Sequence, residues 1–66
     1  MIVDVAINKP LWKTLDYEVN ENIECPVGTI VEVPFRNSIE LGLVLGIKKK
    51  PSGQYNLKKI NKIIEL

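Results

Sequence analysis

The chain has 66 residues, 45% of them hydrophobic, with nine Lys and Arg against eight Asp and Glu for a net charge of +1. That length allows one domain with a small core, in which folding hides only about 60% of the unfolded surface and stability is marginal. A single cysteine and no histidine exclude an intramolecular disulfide, the usual zinc-ligand sets and a Cys–His nucleophile. The simplest reading of Cys25 is a reduced, partly buried thiol of a cytosolic protein. The opening MIVDVAIN has an acid at its fourth position and no basic leader, so it is not a signal peptide. No apolar run approaches the roughly 20 residues of a membrane helix. A soluble, intracellular chain is expected.

Taken in order, Met1 to Ile7 alternates with period two, Val3, Val5 and Ile7 on one side and Ile2, Asp4 and Ala6 on the other. This predicts a strand with its β-branched face inward. Asn8-Lys9-Pro10 ends it, because Pro has no ladder donor and holds Lys9 extended. Lys9 to Tyr17 contains the single Trp, one of two Tyr, and Asp16 wedged between Leu15 and Tyr17. The aromatics either fill a small core with Asp16 capping a turn, or wall a spot where a polar group is held. Leu15 to Val19 reads as extended, with Leu15, Tyr17 and Val19 on one face. Asp16 and Glu18 then point away from the core, toward whatever binds there.

Asn20 to Asn22 predicts a turn, and Pro26 interrupts pairing between Ile23 and Val27. Gly28 to Phe35 predicts a strand opened by Gly and closed by Pro34, with Thr29, Val31 and Val33 on one face. Arg36 to Glu40 reads as a polar loop. Leu41 to Ile47 is a second apolar run, its glycines allowing a bend or a close backbone approach, and the pair makes a hairpin. Lys48 to Gln54 reads as a loop from its charge and turn chemistry. Tyr55 to Leu66 stays open: Leu57, Ile60, Ile63 and Ile64 have helical spacing, but its isoleucines favour a strand. The expected class is mostly β, a small antiparallel barrel or sandwich of five or six short strands, OB-like or SH3-like in size.

Charge is uneven along the chain. Residues 1–42 hold three basic side chains against seven acids, a net −4, whereas residues 43–66 hold six lysines against Glu65, a net +5. The basic end suits an anionic partner such as nucleic acid, or simply keeps strand edges soluble. No Walker-type phosphate loop or dinucleotide fingerprint is present, and no pair of converging carboxylates can be picked out. The residues read as a binding module and not as an enzyme.

The segments V-D-V-A-I-N-K-P-L-W-K-T-L-D-Y-E-V at 3–19, V-G-T-I-V-E-V-P-F at 27–35, L-G-L-V-L-G at 41–46 and the late L-K-K-I resemble the N-terminal domain of the primosomal protein N′ family, the PriA replication-restart helicases. The likeness runs essentially end to end. It implies that residues 1–66 are a single DNA-binding domain, an excised or separate N-terminal part of a larger bacterial, cytoplasmic ATP-dependent 3′→5′ helicase. ATP, magnesium and zinc would belong to other domains, leaving this segment with no cofactor. The implied partners are single-stranded or forked DNA with a free 3′ end and the remainder of the helicase, with no membrane. The implied task is to hold the 3′ terminus of a nascent strand at a stalled fork and so place the motor for replication restart.

By position, the resemblance implies a 3′-end pocket at Leu15, Asp16, Arg36 and Lys58. A carboxylate at Asp16 can accept from a sugar hydroxyl or a base edge, Leu15 offers a base an apolar surface, and Lys58 can neutralise a phosphate. Lys48, Lys49, Lys50 and Lys59 are the expected weaker backbone-phosphate contacts. Two positions depart from the family: Leu15 stands where an aromatic is frequent, and Arg36 where Gly is common. Arg36 either clashes with the nucleotide or stacks on it and pairs with a phosphate; the second is expected. The alternative function is a small barrel that docks RNA or a protein through its basic loop.

Overall fold

The computed structural model describes residues 1–10, 13–50 and 57–65. Its five strands are β1 (Ile2–Ile7), β2 (Leu15–Glu18), β3 (Ile30–Phe35), β4 (Ser38–Lys48) and β5 (Lys62–Glu65). They form one sheet in the order β2-β1-β4-β3-β5. Every strand pairing is antiparallel. The mostly-β expectation holds, and there is no helix among the described residues. The sheet is not closed into a barrel. The C-terminal segment meets the outer edge of β2 in one isolated parallel bridge, Glu18 with Lys59, before pairing with β3 as β5.

The core follows from the alternation. Val3, Val5 and Ile7 of β1, Tyr17 of β2, Val31 and Val33 of β3 and Val44 of β4 bury together, joined by Val19 and Cys25 from the connections. Thr29 is fully buried and donates its hydroxyl to the Pro26 carbonyl at 2.6 Å, which satisfies the polar atom that burial would otherwise orphan. Ile2 is buried on the opposite side of β1, outside this cluster. Tyr17 reaches across to donate its hydroxyl to the Pro34 carbonyl at 2.7 Å, tying β2 to the far end of β3.

Strand β4 is the spine of the sheet, 11 residues long and paired on both sides. The loop expected over Arg36 to Glu40 is only a two-residue turn, because Ser38, Ile39 and Glu40 already pair with Phe35, Pro34 and Val33. Lys48 likewise belongs to β4 and not to the following loop, pairing with Ile2. In the late segment, 62–65 is strand and 57–61 is irregular apart from the bridge; the expected loop at 51–54, Tyr55, Asn56 and Leu66 lie outside the described residues, as does Trp12. Facing strand neighbours decide this over local helical spacing: the Asn61 amide donates to the Glu32 carbonyl at 2.7 Å and leads the chain onto β3.

Gly42 lies opposite Ile7 and Val31, between β1 and β3. A Cβ there would run into Cγ1 of Val5, a side chain with no room to retreat because it is fully buried. Gly42→Ala should therefore cost about 1–3 kcal/mol through overpacking. The measurement is a urea titration, where the midpoint should fall with an unchanged slope.

Cys25 is buried, more deeply than the sequence suggested. Desolvation pushes its thiol pKa above the ordinary 9.0, partly offset by the neighbouring Thr29 side chain. The folded state thus keeps a proton that the unfolded chain loses near pH 9. Stability should fall as pH rises from that value through the higher folded pKa. Cys25 should react slowly with a disulfide reagent in native buffer and rapidly in urea; fast native labelling would contradict its burial.

Candidate nucleic-acid interface

With Tyr17 and Val19 turned into the core, the pleat carries Asp16 to the outer face of β2. Asp4 is its direct partner on β1, so two carboxylates face each other across adjacent strands. Such a like-charge pair is unfavourable unless a cation is supplied. Lys48, at the end of β4, supplies it: its Nζ lies 2.8 Å from Asp16 Oδ1 and 4.0 Å from Asp4 Oδ1. Thr14 completes the cluster by donating its hydroxyl to Asp4 Oδ1 at 2.5 Å. The orientation expected for Asp16 is correct, but its side chain is 2% exposed and not open. Lys48, reaching over from β4, is one of the groups on it.

The other expected pocket residues lie at the start of β2, in the β3–β4 turn and in the segment that leads to β5. Leu15 opens β2, half-buried against the core. Arg36 is the first residue of the β3–β4 turn, exposed, with its guanidinium 5.1 Å from the centre of the Phe35 ring. Its backbone has φ 55°, left-handed, and the next residue does not. A positive φ at the first of two turn positions is the II′ pattern, where Gly is favoured because a Cβ is strained there. Lys58 is exposed, and its carbonyl accepts the Glu18 amide at 2.8 Å, which anchors it two residues from Asp16 along β2. The Tyr17–Pro34 bond brings the turn end of β3 toward the same strand. No hydrogen bond or ion pair joins Arg36 or Lys58 to Asp16 among the described residues.

The remaining lysines differ in setting. Lys49 and Lys50 are exposed just past β4. Lys59 is exposed and donates to the Asn20 side chain at 3.3 Å. Beside it a cleft of about 370 Å³ has Val19, Ile60 and Ile63 on its floor and Asn20, Lys59 and Lys62 on its rim. The arrangement pairs apolar surface with two cations and one acid, Glu18, so the two lysines are the groups that could meet a phosphate.

Asp4 and Thr14 were missed as members of the site. The available signal was an acid in the middle of the β-branched run Ile2-Val3-Asp4-Val5, on the same face as Asp16 once β1 and β2 pair antiparallel.

Compared with protein families, residues 4–66 match the 3′ DNA-binding domain (3′BD) of PriA. No curated protein matches the chain.

The strained turn yields a test of its own. Arg36→Gly should relieve the left-handed backbone and raise stability by up to about 1 kcal/mol, the larger unfolded-state entropy of Gly trimming the gain. Thermal unfolding reads this directly, and a clear loss would mean that the guanidinium on Phe35 outweighs the strain.

Proposed function

We propose that this chain, which belongs to the family of PriA 3′ DNA-binding domains, holds the 3′-terminal nucleotide of a DNA strand and reads its free hydroxyl with Asp16. The observation that carries the reading is that the family match spans residues 4–66, and so includes positions 15, 16, 36 and 58. An ionised carboxylate is an acceptor only, matched to a hydroxyl donor and opposed to a phosphate dianion. Leu15 gives the terminal base an apolar face without reading its edge. Lys58, with Lys49, Lys50 and Lys59 further out, neutralises backbone phosphates. None of these contacts depends on sequence, as a reader of strand ends of any sequence requires.

In this reading the module sets a PriA-like helicase at the branch of a stalled fork, in the bacterial cytoplasm. The motor, its ATP and its metals lie in other domains. Two or three phosphate contacts give a shallow salt slope, on the order of −0.7 per neutralised phosphate on a single strand.

The test is fluorescence anisotropy with two oligonucleotides that differ only in a 3′-hydroxyl or a 3′-phosphate. The hydroxyl end should bind more tightly. Asp16→Asn, which keeps the shape and removes the charge, should bring the two ends close to equal. Equal, salt-sensitive binding of both ends by the unaltered chain would end this reading.

A further inference from the structure

The hydroxyl-acceptor reading uses Asp16 and leaves Asp4 and Lys48 unexplained. A core-forming role does not account for them, since all three lie off the Val-lined face. The antiparallel register sets Asp4 directly opposite Asp16, and β4 delivers one ammonium to both. These three side chains therefore carry two negative charges and one positive, a net −1 beside the atom that would meet the DNA terminus. Lys48 is bound closely to Asp16 Oδ1, and the pair sits almost wholly out of solvent on the Asp16 side.

A terminal hydroxyl brings no charge to this cluster, whereas a terminal phosphate brings about −1.5 to −2. The difference in binding between the two ends must then scale with the local negative charge, and Lys48 sets that charge. We infer that Lys48 is a positioning and specificity-determining residue of the 3′-end site, balancing Asp4 and Asp16 so as to set how strongly a phosphorylated end is rejected. This rests on the reading of Asp16 as the hydroxyl acceptor. Lys48 is on this account no ordinary phosphate contact, because its ammonium is engaged by the acid pair.

The experiment measures the ratio of Kd for 3′-phosphate over 3′-hydroxyl oligonucleotides, at one salt concentration, across a charge series. Lys48→Gln takes the cluster to −2 and should raise the ratio about tenfold. Asp4→Asn takes it to zero and should lower the ratio by a similar factor. The double variant Lys48→Gln with Asp4→Asn returns the cluster to −1 and should restore the original ratio, as should Lys48→Arg. If Lys48→Gln alone does not fold, Asp4→Asn and the double variant still decide the matter. A ratio that stays flat across the series, or affinities for both ends that fall in step, would overturn the role of Lys48. A flat series on top of a clear hydroxyl preference sinks this inference alone. Loss of the preference in the unaltered chain sinks the Asp16 reading itself.

Discussion

Among the described residues the one five-stranded sheet has no second layer to bury its inner face against, and that constraint governs the molecule. With no helix among the described residues to act as a lid, the apolar face has to be covered by the chain's own curvature and connections. The segment from Lys58 to Glu65 does much of this, bonding first to the outer edge of β2 and then to the outer edge of β3. The Tyr17 hydroxyl spans the same gap from inside. Small β-branched side chains suit the tight interior, and among the described residues the largest fully buried side chains are six valines and one threonine. Gly42 belongs to this economy of volume, since Val5 occupies the space that any side chain there would need.

Because the inner face is consumed by packing, polar function is confined to the outer face and the rim. Period two then fixes the site: Tyr17 inward means Asp16 outward, and a one-residue slip of β2 would reverse both. The same logic brings Asp4 under Asp16, so the site's negative charge follows from the register of β1 on β2. Lys48 reaches the pair because β4 continues to residue 48 instead of ending at the apolar run.

Much of this was legible in the chain. The inward faces of β1, β2 and β3 could be read from alternation alone, since their apolar residues recur at every second position and nothing local competes. The hairpin was legible too, but not its tight turn. Arg36-Asn37 lacks the Gly that marks such turns, and Ser38 to Glu40 looks like loop until the ladder from β3 is in place. Which of the expected forms the small β domain takes was not legible for a physical reason: whether a curled sheet closes depends on hydrogen bonds between the first and last segments, and residue pattern does not encode that pairing. The late segment was undecidable locally, because helical spacing and isoleucine content disagree and a tertiary partner, β3, settles it. For the site, the direction of Asp16 could be read but its burial could not. The covering lysine sits 32 positions away and looked like part of a solvated run.

The charge balance around Asp16 bears on how a reader of ends can stay selective. Lysine contacts to phosphates strengthen binding anywhere along a strand, so each one added favours interior sites as much as termini. Discrimination of the end has to come from a group that meets something present only there, and a donor-seeking carboxylate is such a group. A cation held beside it keeps two acids compatible within one small sheet and, on the proposed reading, would weaken their repulsion of a phosphorylated terminus. Placing that cation on β4, where Lys48 pairs with Ile2 of β1, fixes its position more firmly than a loop lysine would. Under the proposed function, Lys49 and Lys50, one and two residues further on and exposed, would supply general attraction to phosphates.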